Sequence, residues 1–425
     1  MLTMTTNCKH VSAVLAELGR VINAKDALPI LTSIRVQMSA TGEVKMTAKR
    51  GSEMSMTKTL HASRFTGEGE FVADYEQLSC ALKGLAEQDV TMQFDKGSLT
   101  IAYMGGSLTF VTGDATKYPK DTARTDAKAE MYLTGKTLVD SLKAVKYACA
   151  KDETRMVMTG VCMEKKGDRL TFVGTDGRLL RWVDTKTDAQ CADFEAVLPT
   201  TLVNILCSGL KDGNQVHLSV NTDFVYIDWA DTTLDCKRVE GKYPNYRGIV
   251  DAVKTPVSMQ CERKALLSSF SRVATFANQA SQLIVCEYAD GSLVLKGEDS
   301  DIFGRSMTER VQSTLHTADG YKGEAIKFGV SAKWMTLLLA NTEGESITLK
   351  YNDCESPIVV VGDGSTSIIM PMNINAESKP KTAPKPKAEA KPKAETKPVE
   401  TKPVEAKTEA KAKPKAEAKT EAKVA

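Results

Sequence analysis

The chain lacks any run of about 18 apolar residues that could span a bilayer, and its opening "MLTMTTNCKH" lacks the basic-then-apolar order of a secretory leader. Both absences point to the cytoplasm. Ten cysteines occur singly, with no CxxC pair, so they read as small buried hydrophobes of a reducing compartment. The four histidines, His10, His61, His217 and His316, stand far apart and none has a second ligand at metal-binding spacing. No metal and no cofactor is therefore expected. There is no GxGxxG after a strand, no P-loop and no GxSxG, so no nucleotide-cleaving or acyl-transfer machinery is legible and the chain reads as non-catalytic.

Basic surplus is also scarce once its location is considered. Residues 376–425 carry 14 Lys against 8 Glu, a surplus of six, so the chain's net +2 leaves residues 1–375 at 2 − 6 = −4. This tail holds seven of the fourteen prolines and no aromatic residue. Such a composition cannot bury enough surface to offset ordering entropy, so residues 376–425 are expected to be a disordered basic tail. Its spaced lysines suit either a solubilising tether or weak contact with a polyanion.

What the rest of the chain has is an internal repeat. Val11, Leu15, Leu18 and Ile22 follow amphipathic helical spacing, as do Leu138, Leu142, Val145 and Cys149, and Leu266, Phe270, Val273 and Ala277. Their starts, Val11, Leu138 and Leu266, are almost evenly spaced along the chain. A second helical pattern recurs in "YEQLSCALKGL", "TLVNILCSGL" and "SAKWMTLLLANT", and "KYP" occurs at 117–119 and 242–244. Between them lie short alternating runs such as "SLTIAYM", "FVYIDWA" and "SITLKY", the signature of half-buried antiparallel strands. The expected fold is α+β, with three tandem units of two helices plus antiparallel sheet: 1–122, 123–251 and 252–375.

One stretch, "TDGRLL" at 175–180, combines a tight polar turn with two adjacent leucines. Asp caps its own backbone and Gly accepts positive φ, which suffices for a hairpin. The leucines either return into the core or offer an apolar anchor.

With "LPILTSIRV" at 28–36, "GVCME" before "VGTDGRLL", "GKYPNYRGIV" at 241–250 and the terminal "IIMPMNI", residues 1–375 resemble the bacterial beta sliding clamp family. The resemblance implies three DNA-clamp domains per chain and a head-to-tail homodimeric ring with helices inside, encircling duplex DNA. It implies a partner-peptide cleft made by Met158, Thr175, Gly177, Arg178, Leu179, Leu180, Pro244, Ile249, Ile368, Ile369, Met370, Pro371 and Met372. Flexible thioethers suit a site that adapts to several partners. Those partners would be the polymerase catalytic subunit, the clamp loader complex and repair proteins. Leu179, Gly248 and Asn373 stand where the family commonly has arginine, which implies an altered peptide preference.

By the same resemblance, DNA phosphates would be met without base readout by Arg20, Lys25, Lys83, Lys136, Lys143, Lys146, Arg155, Lys264, Arg272 and Lys333 on or beside the inner helices. Ring closure would bring Leu108 and Phe110 against Phe276, with Glu298 and Asp299 as ionic partners. A protein of the same fold that scaffolds peptides without encircling DNA is the alternative reading.

Overall fold

The computed structural model describes residues 1–299, 304–318, 321, 325–362 and 364–374. The expected tail, and residue 375 before it, lie outside the described residues.

Among the described residues seven α-helices form: α1 (Cys8–Leu18), α2 (Tyr75–Leu82), α3 (Gly135–Lys146), α4 (Thr200–Gly209), α5 (Tyr246–Ala252), α6 (Arg263–Ala274) and α7 (Ala332–Ala340). Three of them start the same way. A strand (Leu2–Asn7, Ala129–Thr134, Val257–Glu262) runs directly into α1, α3 and α6. Asn7 and Thr134 accept a backbone N–H from the first turn of α1 and α3, satisfying a donor that the helix start leaves open. The repeated apolar positions are all buried: Val11, Leu15 and Leu18; Leu138, Leu142 and Val145; Leu266, Phe270 and Val273. Each such side chain contributes about 1.5–3 kcal/mol of hydrophobic stabilisation. The fourth position of each expected stripe, Ile22, Cys149 and Ala277, falls beyond the helix end, so the periodicity overshoots by one turn. Helices pack in pairs, α1 on α2, α3 on α4 and α6 on α7. The short helix α5, in "NYRGIV", is not among the sequence expectations; Asn245 caps it by accepting from Gly248 N.

The strands of the described residues form three antiparallel sheets of five, eight and twelve members. Two of these sheets are continuous across repeats. Thr232–Lys237 pairs with Met54–His61, with Leu234 opposite Met56. Leu179–Lys186 pairs with Ser365–Ile369, with Leu180 opposite Ile368 and Arg181 opposite Ser367. The two junctions occupy the same place in the repeat, since the strand Met54–His61 stands in the first repeat where Leu179–Lys186 stands in the second.

The corresponding strands at the two extremes have no such neighbour among the described residues. Gly106–Val111 is the terminal strand of the five-stranded sheet and holds in the first repeat the place of Thr232–Lys237 in the second. Arg305–Thr317 holds in the third repeat the place of Leu179–Lys186; its first half pairs only with Ser292–Asp299, while Ser313–Thr317 pairs with Val257–Cys261.

Candidate functional site

The turn that carries "TDGRLL" is built by local hydrogen bonds. Asp176 Oδ1 accepts from the backbone N–H groups of Arg178 (2.9 Å) and Leu179 (2.8 Å), and Thr175 Oγ1 accepts from Gly177 N (3.0 Å). Gly177 sits at φ +84°, a conformation that side chains with a Cβ rarely adopt. The turn is fastened to α7, because Trp334 Nε1 donates to Asp176 Oδ2 at 2.7 Å and the Arg178 guanidinium lies 4.8 Å from the centre of the Trp334 ring. Arg155 Nη1 donates to Asp176 O from the third side at 3.3 Å.

Beyond the turn, strand alternation separates the two leucines. Leu180, 6% exposed, packs with Tyr243, Tyr246 and Ile368 in a small apolar cluster, with Val157, Val250 and Val253 against it. Leu179, fully buried, and its cross-strand partner Ile369 point into the core of the third repeat instead. The four residues expected in one cleft thus divide between two faces of the sheet: Leu180 and Ile368 share the small apolar cluster, whereas Leu179 and Ile369 lie on the opposite face, where Leu179 lines a pocket with Arg178 and Trp334.

Around the Leu180 cluster the remaining residues vary in exposure. Met158, Pro371 and Met372 are half-buried, as is Pro244, and Ile249 and Met370 are exposed, Met370 by 40%. The segment bearing the two methionines is held open by backbone bonds at both ends. Met370 N donates to Arg178 O and Met372 N to Gly329 O, each at 2.8 Å. Gly329 is needed there, since a Cβ would stand 2.7 Å from Met372 O. At the far wall Glu164 accepts from Tyr246 Oη and from Arg247 Nε and Nη2, at 3.1 and 3.0 Å for the arginine nitrogens. Burial raises the Glu164 pKa, but those hydrogen bonds outweigh it and hold the carboxyl below its ordinary value.

Sequence reasoning missed Trp334, Tyr243 and Tyr246. Trp334 sits in an ordinary apolar helical stripe, and only its reach to Asp176 across the repeats distinguishes it. Tyr243 and Tyr246 lie close on either side of the candidate Pro244, and that proximity was the available signal.

The basic candidates divide by partner. Arg20, Lys25 and Lys83 are exposed just beyond α1 and α2, and Lys264 and Lys333 lie in the first turns of α6 and α7. Lys143 and Lys146 lie in the last turn of α3. Lys136 is paired with Asp140 at 2.7 Å and Arg272 is held bidentately by Glu309 at 2.6 and 2.7 Å, so these two charges are already compensated. Arg155 is turned toward the Asp176 carbonyl. At the open edges, Leu108 and Phe110 are half-buried and Phe276 is 36% exposed. Asp299 is buried, with Arg305 at 3.3 Å and Asn278 Nδ2 at 3.2 Å, so it cannot serve as a surface ionic partner; Glu298 is paired with Lys296.

Residues 132–245 match the family model for the central domain of the DNA polymerase III beta subunit. The beta sliding clamp of Chlamydia muridarum is 22% identical over 245 residues, 57% of this chain and 64% of its own length. This chain thus spans just under two thirds of that relative. That of Synechocystis is 23% identical over 395 residues, 86% of this chain and 97% of its own length. The DNA polymerase sliding clamp of Pseudomonas aeruginosa superposes with a TM-score of 0.81 at 17% identity, and the DNA polymerase III beta subunit of Thermotoga maritima with 0.78 at 18%; each alignment covers 88% of this chain and all of the other.

Repeated helix pairs on sheets that run on from one repeat to the next are the DNA-clamp fold of these solved structures. In sequence and in fold the chain is similar to the bacterial beta sliding clamps, the match to the family model lying in residues 132–245.

Proposed function

We propose that two copies of this chain close head to tail into a ring that encircles duplex DNA and tethers a polymerase to it without catalysing a reaction. The observation that carries this reading is the pair of unmatched edges. Repeats 1–122 and 123–251 join through one strand pair, and 123–251 and 252–375 through its equivalent, whereas Gly106–Val111 and the first half of Arg305–Thr317 are the two halves of the same junction that find no partner strand for it among the described residues. Open edges are aggregation hazards, and a second copy offers each edge its complement. Leu108 and Phe110 would then approach the Phe276 region of the partner copy, with two identical junctions closing the ring.

Duplex DNA inside such a ring is held by phosphate attraction, which carries no sequence information and permits sliding. Arg20, Lys25, Lys83, Lys143, Lys146, Lys264 and Lys333 are the candidates with charge to offer. The cleft around Leu180, Ile368, Met370 and Met372 would take short apolar segments of the polymerase, the clamp loader and repair proteins in the cytoplasm, small apolar pockets with a polar edge being what such anchors fit. Tethering raises local concentration, so a polymerase that releases its template rebinds before diffusing away.

Retention on nicked circular DNA, compared with the same DNA linearised, tests the proposal when the cognate loader and ATP are present. A ring stays on circles and runs off linear ends. Equal retention on both, or a monomer retained on neither, would refute encirclement and leave a peptide-binding scaffold.

A further inference from the structure

The two junctions between repeats provide an internal comparison. At the first, the central cross-strand pair is Leu234 opposite Met56, both buried and apolar. At the second, the equivalent pair is Ser367 opposite Arg181. Arg181 is 4% exposed, yet its side chain makes no ion pair among the described residues; its one hydrogen bond is from Nη1 to Ser367 Oγ at 3.0 Å, and Nε has no partner. Burying a guanidinium without a counter-ion is costly, and a methionine in its place would cost nothing of the kind. Burial also pulls the Arg181 pKa below its ordinary value.

Arg181 shares its face of the strand with Leu179 and Val183, the face on which α3 packs. There it lines a cleft of about 620 Å³ between α3 and the end of α7. A further buried hydroxyl in the wall of the cleft, Ser365 Oγ, also lacks a partner. The rim carries Lys143, which makes no ion pair among the described residues, and Lys136, paired with Asp140. Glu343 is the opposing carboxylate. Surplus donors around a buried cation call for an acceptor-rich, negatively charged ligand.

We propose that this cleft is an oxyanion site that takes a phosphate group, with Arg181 as its fixed charge and Lys143 at its mouth. The phosphate comes either from free phosphate compounds or from the backbone of bound DNA. Only the second source rests on the clamp reading, and binding of a free phosphate needs neither ring nor DNA.

The test titrates the full-length protein with inorganic phosphate by calorimetry, against chloride at matched ionic strength, and separately with a short duplex. Wild type is compared with Arg181→Met, Arg181→Lys and Glu343→Gln, each checked for folding by circular dichroism. Loss of the guanidinium should weaken phosphate binding at least about tenfold. The lysine variant should fall between. Removing the Glu343 carboxylate should tighten binding about two- to fivefold. If inorganic phosphate gives this ranking, the site takes free phosphate. If only the duplex gives it, the source is the DNA backbone. If neither probe distinguishes the variants, the proposal is overturned, and if Arg181→Met does not fold, absence of tightening in Glu343→Gln overturns it alone.

Discussion

The bond between Trp334 and Asp176 is the side-chain hydrogen bond that ties the cleft turn to α7, and it can be removed with little change of shape. Trp334→Phe keeps an aromatic ring for Arg178 to cover but deletes the N–H that donates to Asp176 Oδ2 at 2.7 Å. A hydrogen bond to a charged group contributes about 1.5–3 kcal/mol. Both residues are only partly buried, so solvent recovers some of this and the expected loss is about 1–2 kcal/mol. Asp176→Ala should cost more, about 2–4 kcal/mol, because Oδ1 also accepts two backbone N–H groups within the turn. Urea unfolding of the wild type, the two single variants and the double variant closes a cycle in which the pair should be coupled by about 1 kcal/mol. The same variants should bind an apolar polymerase-type peptide more weakly, since Arg178 O, at the end of the turn, anchors Met370. A coupling indistinguishable from zero, or a Trp334→Phe protein as stable as wild type, would refute the claim that α7 holds the turn.

Leu180→Ala and Leu179→Ala should both destabilise by about 2–5 kcal/mol in thermal unfolding, but at a temperature where both remain folded only the first should lose peptide affinity beyond twofold or so, because the two side chains occupy opposite faces. Equal losses of affinity would contradict that division. Gly329→Ala should cost about 1–3 kcal/mol and loosen the Met370 to Met372 segment, seen as faster amide exchange at Met372, because the added carbon meets Met372 O at 2.7 Å. Undisturbed exchange there would rule this out. Glu164 supplies a pH dependence. Its folded pKa is depressed, so its contribution is fully present above the unfolded value of about 4.3 and is lost as pH falls from there through the lower folded value. Glu164→Gln should therefore flatten the acid limb of the stability curve below that pH, and a variant whose acid limb matches wild type would count against the Tyr246 and Arg247 bonds.

Much of this protein is legible in the sequence. Three helices of one pattern, beginning at Val11, Leu138 and Leu266, required a repeated unit, since a helical stripe that recurs at even intervals needs the same sheet to cover it each time. The second helix of each unit and most strands followed from period alone, because a single apolar face is a local property of spacing. The polar turn at 175–180 was equally local: the Asp176 carboxylate accepts from its near neighbours and Gly177 supplies the positive φ.

Tertiary structure decided what depends on contacts between distant segments. Which leucine faces the cleft turns on which strand pairs with Leu179–Lys186, and that partner, Ser365–Ile369, belongs to the next repeat. Trp334 looked like any helical hydrophobe until it reached Asp176, far away along the chain. Arg272 and Lys136 looked like free surface charge until Glu309 and Asp140 were seen to hold them. Arg181 could not be suspected at all, since a charged residue in a strand normally faces water and only pairing between repeats buries it. Periodicity is written along one segment, whereas burial, pairing and charge compensation are relations between segments that exist only once the chain has closed on itself.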